Sequence, residues 1–110
     1  MRLISKKDGR IHTILGPGIQ PPLDQPKEGI FDKNGDLIFI DSNHGMIRKY
    51  SPSTGLTTTL VGTGENGDRL APNDPLLTQL NQPHFIYQDP ASGDLYIADT
   101  FNDRILRLKQ

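Results

Sequence analysis

Apolar residues along this chain come in runs of about five positions, broken by clusters of Gly, Pro, Asn, Asp and Ser. That rhythm predicts short β-strands joined by tight turns. Nine strands can be drawn, at residues 2–5, 10–15, 28–32, 37–41, 46–51, 56–61, 84–88, 94–99 and 104–109. Residues 37–41 read Leu-Ile-Phe-Ile-Asp, apolar at adjacent rather than alternate positions, which predicts a strand covered on both faces. Asn34-Gly35, between two such runs, predicts a type I′ hairpin with positive φ at both residues. Lys6-Lys7-Asp8-Gly9, Pro52-Ser53-Thr54-Gly55 and Pro90-Ala91-Ser92-Gly93 supply further turns. No stretch sustains a helical period, and residues 75–80 allow one helical turn at most.

The pattern occurs twice. Leu23-Asp24-Gln25-Pro26 leads through a turn to Gly35-Asp36-Leu37-Ile38-Phe39-Ile40-Asp41-Ser42. Leu80-Asn81-Gln82-Pro83 leads through a turn to Gly93-Asp94-Leu95-Tyr96-Ile97-Ala98-Asp99-Thr100. A second correspondence aligns Arg2-Leu3-Ile4-Ser5 and Gly16-Pro17-Gly18 with Arg48-Lys49-Tyr50-Ser51 and Gly62-Thr63-Gly64. The strand modules keep their length while the segment from Gly62 to Pro83 outgrows that from Gly16 to Pro26. Repeat arrays carry their insertions in this way, in loops on one face.

Pro83, a strand, Gly93-Asp94-Leu95-Tyr96-Ile97-Ala98-Asp99, then Thr100, Asn102 and Arg104-Ile105 resemble the NHL repeat, a four-stranded propeller blade. The segment Val61 to Asp68, ahead of Gln79-Leu80-Asn81-Gln82-Pro83, resembles a loop found between such blades. The resemblance implies an all-β fold of four-stranded antiparallel blades, about two of them. It divides the chain into the last two strands of one blade (1–22), a full blade (23–62), a loop (63–79) and the first three strands of the next blade (80–110). NHL propellers resemble closed rings of about six blades, so two blades imply either a segment of a longer propeller or a protomer of an assembled ring, for instance of three chains. Two departures stand out. The family often has Gly after Asp-Ser/Thr, where this chain has Asn43 and Phe101. Phe101 takes a left-handed backbone only at a cost, so its turn needs another geometry unless Phe101 is itself a contact residue. The family's Asn-x-Arg survives as Asn102-Asp103-Arg104 but becomes His44-Gly45-Met46 in the earlier copy, which has lost its Arg.

Composition narrows the function. The net charge is −1 with scattered Lys and Arg, and there is no cysteine among 110 residues. The charge balance argues against non-specific nucleic-acid binding. Without cysteine there is no disulfide and no thiolate metal site. No apolar run approaches the length of a membrane span, and no apolar segment of a signal peptide follows Met1-Arg2-Leu3.

Candidate chemistry is sparse. Asp41 and Asp99 end equivalent strands and are expected to cap their turns, each carboxylate accepting backbone N–H groups of the Ser42 or Thr100 turn. Two carboxylates are too few for calcium. His12, His44 and His84 lack zinc-site spacing. His12 alternates with apolar neighbours in a strand, His44 stands in a turn, and His84 starts a strand that would face a central channel. Gly62-Thr63-Gly64-Glu65-Asn66-Gly67 lacks the Lys-Ser/Thr of a phosphate loop, and Glu65, Asp68 and Asp74 make its surroundings acidic. Arg104 and Arg107 are three apart in a strand and so point to opposite faces. No cofactor fingerprint or catalytic pair is visible. The expected function is a scaffold that binds a protein partner through its loops, with His44, Asn43, Phe101, His84, Asp68 and Arg69 as contact candidates. The alternatives are a segment of a metal-dependent propeller enzyme, lyase-like or hydrolase-like, and an RNA-binding propeller.

Overall fold

A computed structural model describes residues 2–4, 11–13 and 26–110. Among the described residues, nine strands form three antiparallel sheets. The first pairs β1 (Arg2–Ile4) with β2 (Ile11–Thr13). The second is a meander of β3 (Pro26–Phe31), β4 (Leu37–Asp41), β5 (Met46–Ser51) and β6 (Leu56–Val61), hydrogen-bonded in chain order. The third repeats that order with β7 (Phe85–Gln88), β8 (Leu95–Asp99) and β9 (Arg104–Leu108). His12 stands opposite Leu3 in the β1–β2 pairing. The turn expected at 6–9 and the linker at 16–22 lie outside the described residues.

The two copies are superposable in register. Ile40 pairs with Ile47 and Asp41 with Met46 in the second sheet, as Ala98 pairs with Ile105 and Asp99 with Arg104 in the third. All five residues of β4 are buried, as its two-sided apolar run requires. Its Ile38 and Ile40, with Ile47, face the third sheet and meet Ile86, Leu95 and Ile97, while Val61 and Leu80 close the cluster. This dry contact between sheet faces is the main favourable term in the fold, since apolar area leaves water on both sides of it.

The turn between β3 and β4 differs from the type I′ hairpin expected at Asn34-Gly35. Gly35 has φ 80°, but Asn34 is not among the residues with positive φ. The loop is instead built on Asp32. Its backbone N–H donates to Asp36 O at 2.9 Å and its C=O accepts from Gly35 N at 3.1 Å. Its carboxylate accepts from Asn34 N at 2.9 Å and Asp36 N at 3.0 Å. A side-chain oxygen that takes two amides replaces the turn that a backbone carbonyl would make alone. Asp89 repeats the device in the third sheet, accepting from Ala91 N at 3.0 Å and Ser92 Oγ at 3.0 Å. There the turn is one residue longer, which accounts for Pro90. Lys49 bridges Asp32 at 3.3 Å and Asp36 at 3.4 Å. Burial alone would raise the Asp32 carboxyl, but the two amides and Lys49 outweigh it and hold its pKa low. Burial likewise opposes the charge on Lys49, yet the two carboxylates raise its pKa.

Candidate functional site

The candidate residues gather at one end of the sheets, where β4 and β8 run out. Each strand passes into a single 3₁₀ turn, Ser42–His44 or Thr100–Asn102. Each turn is closed by a left-handed residue whose amide bonds back to the turn's first carbonyl. Gly45 does this at φ 61° and Asp103 at φ 52°. Left-handed backbone thus falls on Asp103, and Phe101 avoids it by sitting inside the 3₁₀ turn. Asn43 occupies the matching place. Gly45 is under a further constraint: a Cβ there would lie 2.7 Å from Leu80 O and 3.0 Å from Asn66 Oδ1.

Asp41 and Asp99 are both fully buried, but neither carboxylate caps its own turn. This corrects the expectation that they accept the turn's backbone amides. The turns close on their own carbonyls, leaving the carboxylates to other donors. Asp99 Oδ1 accepts from Asn81 N at 2.7 Å, and its Oδ2 accepts from Asn102 Nδ2 at 2.9 Å and Arg104 Nε at 2.7 Å. Arg104 also donates to Asp68 O and Gln79 O, pinning the long loop. Arg107, on the opposite face of the strand, is exposed.

In the earlier copy the Arg is displaced rather than lost. Met46 stands opposite Asp41 where Arg104 stands opposite Asp99. Two residues further along the same face of β5, Arg48 reaches back to Asp41 Oδ2 at 3.2 Å, fully buried, with its guanidinium 5.9 Å from the centre of the Phe39 ring. Among the described residues its Nε and Nη2 find no acceptor. His44 Nδ1 shares the same carboxylate oxygen at 2.9 Å, which fixes the ring. Its side chain is 31% exposed, enough to offer an edge to a ligand.

Asn43 is tied into the framework. Its backbone O accepts from Asn66 Nδ2 at 2.7 Å and its Oδ1 from Gln82 Nε2 at 2.9 Å. Asn66 Oδ1 then accepts from Gln82 N at 3.0 Å, and Ser42 Oγ donates to Gln82 Oε1 at 3.1 Å. This amide cluster joins the first 3₁₀ turn, the loop and the entry to β7. Gln82 pays for its place with a φ of 51°. Residues 66 and 82 were not singled out by sequence. The signals available were the Asn in a Gly-rich loop and the Gln before Pro83, neither specific alone.

Phe101 and His84 are the exposed pair. Their ring centres are 6.0 Å apart at 60°, and Phe101 is 62% exposed. The backbone holds both in place, since Phe101 N donates to Asn81 O and His84 N to Ala98 O. Asp68 and Arg69, in the loop, have exposed side chains but engaged backbones, Asp68 to Arg104 and Arg69 to Gln79. The loop's exposed apolar side chains come later, at Leu70, Leu76 and Leu77, the last two on a 3₁₀ turn capped by Asp74. Among the described residues, no three His, Asp or Glu side chains converge as a metal site. No helix among the described residues is long and apolar enough to cross a membrane. The end of the sheets thus exposes aromatic and imidazole side chains on a hydrogen-bonded base.

A four-stranded and a three-stranded antiparallel meander packed face to face, each led by a Pro and turning at an Asp, are propeller blades, the second of them partial. The chain is an all-β protein of about two such blades. No family model matches it. It is 28% identical to NHL repeat-containing protein 2 of Homo sapiens and 27% identical to that of Bos taurus, in each case over 96% of this chain and 17% of the relative. These matches support a relationship with the NHL repeat proteins, and the chain spans about a sixth of the length of these curated relatives. Among solved structures it is similar to an auxiliary nutrient binding protein from Bacteroides ovatus ATCC 8483, with a TM-score of 0.69 at 22% identity over 98% of this chain and 32% of that one. At that identity the likeness concerns the fold.

Proposed function

We propose that the chain is a propeller scaffold that recognises a protein partner at the end of its sheets carrying Phe101 and His84. On this reading residues 1–22 are the last two strands of one blade, 23–62 a full blade, 63–79 the connecting loop and 80–110 the first three strands of the next. The observation that carries the proposal is the exposed aromatic pair on an ordered base. A large side chain held in one place contributes contact area with little entropy lost on binding. His44, its ring held by Asp41, and the exposed side chains of Asp68 and Arg69 are the further contact residues of this reading. Asn43 serves by positioning Gln82 rather than by direct contact. The description of the solved neighbour as a binding protein is in keeping with a binding use of this architecture.

The test compares immobilised wild type with the double variant Phe101→Ser, His84→Ala, both side chains being exposed. Proteins retained by the wild type are expected to be lost from the variant while its urea midpoint stays unchanged. Identical retention overturns the proposal. Retention that falls with rising salt and disappears on ribonuclease treatment favours RNA instead. A second variant, Leu76→Ser, Leu77→Ser, separates the loop from the aromatic pair without cutting the Arg104 and Gln79 tethers.

A further inference from the structure

Between the second and third sheets, at the end that carries their first hairpins, lies a cleft of about 760 Å³. Glu28, Ile30 and Lys49 line it from the second sheet, Ile86 and Gln88 from the third. Ile30 and Ile86 also belong to the packing between the sheets, so the cleft has an apolar side. Five charged side chains border it, Glu28, Asp32, Lys33, Lys49 and Asp89, and they differ in what they already hold. Asp32 accepts from two amides of its own turn and pairs with Lys49. Asp89 accepts from Ala91 N and Ser92 Oγ. Lys49 sits between Asp32 and Asp36, and Lys33 is exposed in the turn. Glu28 is half-buried, and among the described residues its carboxylate has no hydrogen bond or ion pair. It stands in a bulge of β3, where the three steps from Pro26 to Gly29 match two steps on β4, from Asp41 to Phe39. Bulges re-aim the side chains they carry. A carboxylate drawn partly out of water without a donor is unfavourable, and a cation in the cleft would offset that cost.

We propose that this cleft binds an arginine side chain of a peptide, its guanidinium on the Glu28 carboxylate. The planar fork of N–H donors matches the two carboxylate oxygens. The aliphatic stem of the arginine covers Ile30 and Ile86 while its head stays polar. Lys49 supplies a second contact. An ammonium has three donors, and two of them serve Asp32 and Asp36. The third, on a side chain 30% exposed, is left for a carbonyl of the peptide. Glu28 and Asp32, which holds Lys49, are four residues apart on β3, roughly 13 Å. An arginine side chain with one adjoining peptide unit spans that reach. An anion is disfavoured, because three carboxylates border the cleft against two ammonium groups. The site is independent of the aromatic pair. Phe101 follows the far end of β8, whereas the cleft lies at the hairpin that begins it.

The probe is the capped tripeptide acetyl-Gly-Arg-Gly-amide, titrated against the 110-residue chain and followed by amide chemical shifts. Saturable shifts are expected at Gly29, Lys49 and Gln88. The same peptide with citrulline, which keeps the shape of arginine without its charge, should bind about tenfold more weakly. Glu28→Gln removes the charge from a side chain without a partner, so its urea midpoint should match wild type while its affinity for the arginine peptide falls about tenfold. Rising salt should weaken the arginine peptide on wild type more than on Glu28→Gln. Absence of saturable binding, equal binding of the citrulline peptide, full affinity in Glu28→Gln, or shifts confined to Phe101 and His84 each overturns the proposal. The citrulline comparison is made on wild type and decides the matter even where Glu28→Gln loses stability.

Discussion

Gly45 allows the packing at the end of the sheets to be tested by a difference between two glycines. Gly35 and Gly45 both have positive φ, 80° and 61°. A Cβ on Gly35 would meet nothing within 4 Å, whereas one on Gly45 would lie 2.7 Å from Leu80 O and 3.0 Å from Asn66 Oδ1. Gly35→Ala therefore carries only the backbone cost of a left-handed L-residue, about 1–2 kcal/mol. Gly45→Ala carries that cost and an overpacking cost of about 1–3 kcal/mol. Relief is hard there, because one neighbour is a main-chain carbonyl and the other is held by the Gln82 amide. Urea unfolding of both variants gives the difference directly, provided the slopes agree. Gly45→Ala is expected to be less stable than Gly35→Ala by at least about 1 kcal/mol. Equal losses would mean that the first 3₁₀ turn does not seat against Leu80 and Asn66, and the amide cluster would lose its structural basis.

Removing the buried carboxylate in Asp99→Ala strands Arg104, Asn102 and the Asn81 amide, and should cost about 3 kcal/mol, the low end for a broken buried pair because Arg104 keeps two carbonyl partners. Equilibrium unfolding checks it, and a loss below about 1 kcal/mol would refute the tether. Ile47→Ala should cost about 2–5 kcal/mol, whereas Ile105→Ala, at the equivalent position but 68% exposed, should stay within about 0.5 kcal/mol. The hairpin cluster should respond at both ends of the pH scale. Asp32, with its pKa lowered, contributes stability above its unfolded pKa that is lost as pH falls through the folded value. Lys49, with its pKa raised, contributes below its unfolded pKa and loses that contribution as pH rises through the folded value. The stability gap between wild type and Asp32→Asn should thus close in acid, and that between wild type and Lys49→Met should close in strong alkali.

The order of strands, the two copies and the all-β class were legible in the chain because their causes are local. Short apolar runs, Gly and Pro punctuation and the Gly-Asp-Leu phrase act over a few residues, and repetition exposes them twice. Even at that range side chains altered a detail: the Asp32 carboxylate, not positive φ at Asn34, shapes the first hairpin. The site was only half legible. Phe101 stood out as a departure from the repeat and His84 as the start of a strand, but their contact joins residues 17 apart. Asn66 meets Asn43 and Gln82 across two strands and a loop, and nothing in their spacing says so. Arg48 takes over the missing Arg because residues two apart share a strand face and a long side chain spans the step back to Asp41. By itself the sequence determined which segments become strands and where they turn. Only the tertiary structure decided which side chains satisfy the buried Asp41 and Asp99, because a buried charge takes whatever donor the packing brings within reach, regardless of distance along the chain.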